Sequence, residues 1–119
     1  QYAATREQFA RTIDSFPEIQ MKLVRMAARV QAARQLTYLA AQGKLGDPDL
    51  AASTAKLVAT LVAFEVANEC VQIHGGMGVS MEAEAARLFL DARLLLIFEG
   101  TSEIQKRIIA GFLLRKAGK

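Results

Sequence analysis

The chain has 119 residues, 52% of them hydrophobic, and a formal net charge of +3, so it is long enough to bury one core as one compact domain and too apolar to stay disordered. Its one cysteine, Cys70, excludes an internal disulfide framework and a cysteine-based zinc site and fits a reducing compartment; the scattered Lys and Arg residues form no dense basic stripe, which argues against nucleic-acid binding. Gln1 to Phe9 carries no apolar signal region, and the most apolar stretch, Leu57 to Ala67, is broken by Thr60 and Glu65 and falls short of the ~20 residues of a membrane span. The chain starts with Gln1, not Met, within a helical pattern, so a piece of a longer protein is expected.

Residues 2 to 14 read as a short helix with Tyr2, Arg6 and Phe9 on one face and Ile13 as a further apolar point. Pro17 punctuates. From there to Gln42 the residues Ile19, Leu23, Met26, Val30 and Ala33 recur at alternating four- and three-residue steps, which predicts an amphipathic helix with Lys22, Arg25, Arg29 and Arg34 off the stripe. Gly43 and Gly46 end it. Asp47-Pro48-Asp49 is a helix start: Asp47 offers a cap, Pro48 suits the first turn and Asp49 complements the dipole. The third helix runs to about Gln72, is apolar on most sides, and belongs at the centre of the fold. Gly75-Gly76-Met77-Gly78 is a loop, and Ser80 is expected to cap a helix over 81–93. Leu94 to Phe98 continues apolar, and Gly100 interrupts. Thr101 or Ser102 caps a last helix over 102–116, with Ile104, Ile108, Ile109, Phe112 and Leu113 facing inward. Helices joined by short connections predict an all-α, antiparallel bundle of the four-helix type.

Three segments offer chemistry. In Phe98-Glu99-Gly100-Thr101-Ser102-Glu103-Ile104-Gln105, a carboxylate sits on a turn just before a helix N-terminus, where Gly100 allows a sharp turn and two hydroxyls stand beside free N–H groups. Such a place holds an anion or an electron-rich carbonyl, or is plain capping. In Gln72-Ile73-His74-Gly75-Gly76-Met77-Gly78, the glycines permit close backbone approach to a ligand, or simply a tight turn; a helix precedes it, so it is not the dinucleotide fingerprint. His74 is an acid–base candidate or a structural histidine, and no cluster of His and Cys supports a metal site. Tyr2, Arg6 and Phe9 form the third group, which read alone is a solvated Arg beside two core aromatics.

In this order, Tyr-x-x-x-Arg-x-x-Phe, Gln-x-x-Gly-Gly-x-Gly, and Asp-Ala-Arg followed by Glu-Gly-Thr-Ser-Glu-Ile-Gln closely resemble the carboxy-terminal helical domain of the acyl-CoA dehydrogenase family, over nearly the whole chain. The resemblance implies that an amino-terminal helical domain and a middle β-domain precede this one, both absent from the 119 residues, that FAD lies between the middle domain and the bundle, and that a neighbouring subunit of a homodimer or homotetramer completes the flavin site. Arg6 and Phe9 match positions that contact the neighbour's FAD, and Gln72, Gly75 and Gly76 match a second segment reaching across the dimer. Thr101 and Glu103 match flavin-contacting positions.

Glu99 matches the catalytic base of the short- and medium-chain type. The resemblance implies that it takes the α-proton of an acyl-CoA thioester while the β-hydride passes to the flavin, giving a trans-2-enoyl-CoA. The thioester carbonyl is expected to be held by the backbone N–H of Glu99, on the Glu99–Gly100 turn, and by a flavin hydroxyl. Electrons would leave to an electron-transfer flavoprotein. Entry of the acyl chain expels water, which strengthens the carboxylate as a base. The chain alone is expected to be inactive. A bacterial cytoplasm, or otherwise a mitochondrial matrix, is the expected location.

The chain departs from the family pattern in four places. Leu90 stands where Arg precedes Asp91-Ala92-Arg93, and Ala86 stands four positions earlier where Glu is usual. Both losses together read as a missing exposed i,i+4 ion pair, worth only ~0.3–0.5 kcal/mol. Phe98 replaces a common Tyr and Val79 a common aromatic, which bears on substrate preference. An acyl-CoA oxidase or other branch of the superfamily, and a non-catalytic helical subunit, are the alternatives; Glu99 argues against the last.

Overall fold

Helix starts and stops are where the local chemistry puts them. In the computed structural model, which describes residues 1–118, Pro17 opens α1 (Pro17–Ala41) and Asp47 caps α2 (Pro48–His74) by accepting from the Asp49 and Leu50 N–H groups at 3.0 and 3.1 Å. Between them, Gly43 with φ of 69° lets its own N–H reach the Ala40 carbonyl and the Lys44 N–H reach that of Leu39, which satisfies the last carbonyls of α1. A 3-10 turn (Gly75–Val79) leads to α3 (Glu84–Leu95), and α4 (Ser102–Lys116) follows a short turn.

The antiparallel arrangement is visible in the cross-contacts. Lys22 of α1 pairs with Glu69 of α2, and Arg29, seven residues on, pairs with Glu65, four residues back. On the other side of α2, Phe64 packs on Phe89 with ring centroids 5.3 Å apart, while Lys56, nearer the start of α2, reaches the end of α3 at Leu95. Helix α2 contacts α1, α3 and α4, the central place its all-round apolar sequence predicts.

The segment before α1 is not the expected helix. It is a 3-10 turn (Tyr2–Ala4), a two-stranded hairpin of β1 (Glu7–Gln8) and β2 (Arg11–Thr12), and a second 3-10 turn (Ile13–Ser15). Phe9 and Ala10 take φ of 53° and 61° as the two central residues of the hairpin turn, so Tyr2, Arg6 and Phe9 do not share a helix face. The physical reason is tertiary. A lone short helix nucleates poorly, whereas the doubled-back chain buries both Ala3 and Ile13 against Ile73 of α2, with Tyr2, Phe16, Ile19 and Met26 around them. The start of α3 also differs: Ser80 is spent on a turn, its hydroxyl accepting from the Glu82 N–H, and Ala83 is the N-cap residue without a side-chain cap bond.

The core is thin and made of small residues. Ala33, Ala51, Ala55, Ala67, Ala85, Ala86 and Ala92 are buried, and among the described residues no large side chain is fully buried. The molecule measures 61 × 25 × 24 Å with a radius of gyration of 17.7 Å, against ~13–14 Å for a compact chain of this length. One compact core was therefore too strong an expectation. The same holds for the inner face of α4: only Ser102 and Gln105 are buried there, Ile109 and Phe112 are half-buried, and Ile104, Ile108 and Leu113 are exposed.

Helix α2 with its following turn, Pro48–Val79, is by length and composition long and apolar enough to cross a membrane, with a mean hydropathy of 1.6 over an 18-residue window, which the shorter stretch Leu57 to Ala67 did not show. Here it packs against three helices, with Glu65 and Glu69 engaged by α1 and Lys56 by backbone carbonyls.

Candidate active site

The turn between α3 and α4 carries Glu99. Its backbone lies at φ of 51°, the left-handed region that costs an L-residue roughly 1–2 kcal/mol, and Gly100 follows at φ of 86°. Three contacts hold this conformation. Lys56 Nζ donates to the Gly100 carbonyl at 2.7 Å and to that of Leu95 at 3.0 Å. Gln105 Nε2 donates to the Glu99 and Gly100 carbonyls at 3.3 and 3.4 Å. The Ser102 N–H donates to the Leu96 carbonyl at 3.1 Å. The positive φ favours glycine at 100, and a Cβ there would stand 2.6 Å from Gln105 Nε2 and push that side chain aside. The result is a carboxylate-bearing residue presented, exposed, on a fixed turn.

Helix α4 begins immediately after. Thr101 is its cap, its hydroxyl accepting from the Ile104 N–H at 3.3 Å. Glu103 lies in the first turn, exposed; its own backbone N–H, then the Thr101 hydroxyl, then Lys106 and Arg93, hold its carboxyl below the ordinary value. The Ser102 hydroxyl is buried and has no partner among the described residues.

The second candidate region lies at the other end of α2. Tyr2 stacks on His74 with centroids 4.1 Å apart, and its hydroxyl donates to the His74 carbonyl at 3.4 Å. His74 Nδ1 lies 2.7 Å from the Cys70 carbonyl; a carbonyl only accepts, so Nδ1 carries the proton of that bond. His74 is thus tied into the fold on both sides. Tyr2, Arg6, Gln8, Ile73, His74, Gly75, Gly76 and Met77 line an open pocket of about 550 Å³. Side chains built at Gly75 and Gly76 would meet only open space, so both glycines present bare backbone to that pocket. Gly78 is different: a Cβ there would overlap the Val71 carbonyl oxygen, so it serves the packing of the turn on α2.

The structure therefore brings Arg6 together with Gly75 and Gly76, and Glu99 with Gly100, Thr101 and Glu103. It does not bring these two groups together, since the 18 helical steps of α2 from Lys56, beside the Glu99 turn, to His74 put ~27 Å between them. Phe9, 89% exposed at the hairpin tip, and Gln72, exposed, lie outside the lining of the pocket. Among the described residues no cluster of His, Cys, Asp and Glu is arranged for a metal.

Two residues escaped the sequence reading. Lys56 is the only Lys or Arg in α2, set in its apolar first half, and that is the signal that would have found it. Gln105 was visible in the Glu-Gly-Thr-Ser-Glu-Ile-Gln run, but its hold on Glu99 was not. The departures at 86 and 90 also acquire a shape. Ala86 is buried, not exposed, and with Leu90 it joins Val71, Val79, Met81 and Phe89 in lining an apolar pocket of about 290 Å³. Arg87 forms the exposed ion pairs instead, with Glu84 and Asp91.

Residues 1–114 match the family described as acyl-CoA dehydrogenase, C-terminal domain. The (2S)-methylsuccinyl-CoA dehydrogenase of Cereibacter sphaeroides is 45% identical over 116 residues, a match covering 96% of this chain and 21% of that protein. The 3-(aryl)acrylate reductase of Clostridium sporogenes is 42% identical, covering 96% of this chain and 31% of that protein. The structure of butyryl-CoA dehydrogenase from Megasphaera elsdenii superposes with a TM-score of 0.90 at 41% identity, covering 95% of this chain and 30% of that one. This chain thus spans between 21% and 31% of the length of these relatives. Sequence pattern, helical architecture and these similarities agree: the chain belongs to the acyl-CoA dehydrogenase family, as its carboxy-terminal helical domain.

Proposed function

We propose that this chain is the catalytic carboxy-terminal bundle of a flavin-dependent acyl-CoA dehydrogenase, in which Glu99 removes the α-proton of an acyl-CoA thioester and a trans-2-enoyl-CoA is formed. The observation that carries this reading is the Glu99 turn itself. A carboxylate on a strained, three-point-anchored turn at the mouth of a helix is more than capping needs, because Thr101 already caps α4. The same turn offers the Glu99 N–H as a donor to the thioester carbonyl, so one residue serves both the proton and the developing enolate.

FAD, when bound, supplies the hydride acceptor for the β-carbon. The residues present fit such a group. A pocket that Arg6 lines with the bare backbone of Gly75 and Gly76 suits a phosphate-bearing ligand, and the start of α4 offers an orphaned buried hydroxyl at Ser102 beside Thr101 and Glu103. The ~27 Å between these two groups supports two flavin sites, one served by Thr101 and Glu103 within a subunit and one served by Arg6, Gln72, Gly75 and Gly76 across an interface. An electron-transfer flavoprotein is the proposed electron acceptor.

A second reading is supported by the similarity to a reductase. Run in reverse, protonated Glu99 would return its proton to the α-carbon of an enoyl thioester, and reduced flavin, when bound, would supply the hydride for the β-carbon. The test is the full-length protein assayed with straight and branched acyl-CoA thioesters and an artificial electron acceptor, then with oxygen, then with enoyl thioesters and reduced acceptor. Oxidation of an acyl-CoA with the artificial acceptor and not with oxygen is expected. Net turnover only from enoyl substrates would favour the reductase reading, and no turnover in any arm would overturn both.

A further inference from the structure

We infer that Lys56 is a positioning residue for the Glu99 turn, setting the orientation of the carboxylate and of the Glu99 N–H together; this rests on the reading of Glu99 as the base. Lys56 projects from the third turn of α2, next to buried Ala55, and its ammonium makes no ion pair among the described residues. Its hydrogen bonds go instead to two backbone carbonyls that flank the turn: Leu95 at the end of α3 and Gly100 immediately after Glu99. One cation therefore closes the loop from 95 to 100 at both ends.

The bonds on each side are consistent with that role. At Leu95, the ammonium meets one of the carbonyls that a helix C-terminus leaves unpaired, where positive charge is favoured. At Gly100, it holds the peptide that leaves the positive-φ pair Glu99 and Gly100, whose φ are 51° and 86°. Gln105 of α4 holds the same Gly100 carbonyl and that of Glu99 from the other side. Two helices thus converge on the carbonyl next to the proposed base, α2 through Lys56 and α4 through Gln105, and the same ammonium ties that carbonyl to the end of α3 at Leu95. A bulky neutral residue at 56 would leave two half-buried carbonyls without this donor and free the turn to relax from its strained conformation.

The bland rival is that Lys56 only caps α3. The two differ in what they move. Capping changes stability and the amount of folded protein; positioning changes the rate per bound flavin, since a misplacement of ~1 Å can cost on the order of 100-fold in rate. The experiment uses full-length, FAD-loaded protein and stopped-flow flavin reduction by the acyl-CoA that supports turnover, with the wild type, Lys56→Met, Lys56→Arg, Gln105→Leu and Glu99→Gln run side by side. Expected for Lys56→Met is a reduction rate per flavin lowered about 10- to 100-fold, with the Kd for acyl-CoA within about threefold of wild type. Lys56→Arg, which keeps the charge and the donors, should recover most of that loss. Gln105→Leu, which removes the other donor to the same carbonyl, should fall in the same direction, and it carries the test if Lys56→Met does not accumulate. A Lys56→Met or, failing that, a Gln105→Leu protein that reduces its flavin within about threefold of wild type, while Glu99→Gln does not, overturns the positioning role and leaves the base intact. A fast Glu99→Gln protein overturns the base reading, and the positioning role with it.

Discussion

Tyr2 lies nearly flat on His74, at an interplanar angle of 21°, and so joins the first motif of the chain to the second across 72 residues of sequence. The stack is what makes Arg6 a neighbour of the glycine turn. Tyr2 and Ile13 anchor the two ends of the hairpin segment against the end of α2, and Arg6 sits between these anchors, its carbonyl accepting from the Ile13 N–H at 2.8 Å. A pocket lined by Arg6 together with the bare backbone of Gly75 and Gly76 follows from that stack.

Removing either side of the stack should therefore act at a distance. Stacked aromatic pairs add ~0.5–1.5 kcal/mol beyond their area. In the full-length protein, Tyr2→Ala is expected to lower FAD retention in the same sense as Arg6→Ala, with the helical content unchanged, whereas Tyr2→Phe keeps the stack and should behave like wild type. Flavin content after gel filtration reads this out. Full retention in both alanine variants would dissociate the pocket from the cofactor.

The two adjacent glycine environments predict opposite outcomes. At Gly78 a Cβ would overlap the Val71 carbonyl and stand 2.9 Å from His74 Cβ, so backbone must move. Gly78→Ala is expected to cost ~1–3 kcal/mol of stability by overpacking. At Gly76 the space is open and φ is not positive, so Gly76→Ala should leave the melting temperature nearly unchanged and weaken flavin retention instead. Thermal melts with flavin quantitation on both variants separate the two; a reversal of the pattern would refute the assignment.

Helices α1, α2 and α4 were legible because local chemistry and periodicity agree there: Asp47-Pro48-Asp49, the glycines at 43 and 46, and Thr101 each do locally what the sequence announces, whereas the start of α3 was missed because Ser80 serves a turn instead. Residues 2 to 14 were not, because their structure depends on Ile73 and His74, which no local window contains. The same cause hid the partners of Glu99. Its place before a helix was readable, but Lys56 lies 43 positions away and Gln105 looks like any polar helix residue until the turn folds back on it. The exposed isoleucines of α4 show the converse: a periodic apolar stripe announces that it will be covered, not what covers it.

That uncovered surface should be felt when the chain is made alone. Met21 and Val24 are each 60% exposed and Leu113 59%, over a core that contains no fully buried large side chain. The isolated chain is expected to be helical, to bind no FAD tightly, and to self-associate with rising concentration and bind a hydrophobic dye. Analytical ultracentrifugation and dye fluorescence check this; a strictly monomeric, dye-negative species at high concentration would contradict it.

Cys70 supplies a pH test. Burial first, and the Glu84 charge second, push its thiol above the ordinary value of 9.0, with the amino terminus opposing them. A raised value in the folded state means that the contribution to stability is complete below the ordinary thiol range and is lost as pH rises through the folded value. Cys70→Ser should therefore lessen the alkaline loss of stability and leave neutral pH nearly unaffected. Wild-type Cys70 should react with iodoacetamide more slowly than a free thiol at pH ~8, because less thiolate is present. Reaction at the free-thiol rate would show that the group is neither buried nor perturbed in solution.

Glu99→Gln is the sharpest of these tests because it changes one property only. Glutamine keeps the side-chain shape and pays the same conformational cost at φ of 51°, and the bonds from Lys56 and Gln105 go to backbone carbonyls that the substitution leaves in place. What it loses is the ability to accept a proton. General-base catalysis is worth roughly 10²–10⁴-fold, and a reaction that begins with α-proton removal should lose at least that. The full-length variant should stay yellow and bind acyl-CoA, yet fail to bleach its flavin when substrate is added. If Glu99 were only a charge at the start of α4, the pattern would invert: a stability change of about 1 kcal/mol or less and nearly normal reduction, since Thr101 still caps the helix. Stopped-flow reduction of wild type and variant decides. A rate within about threefold of wild type, far short of the general-base range, removes Glu99 from the chemistry.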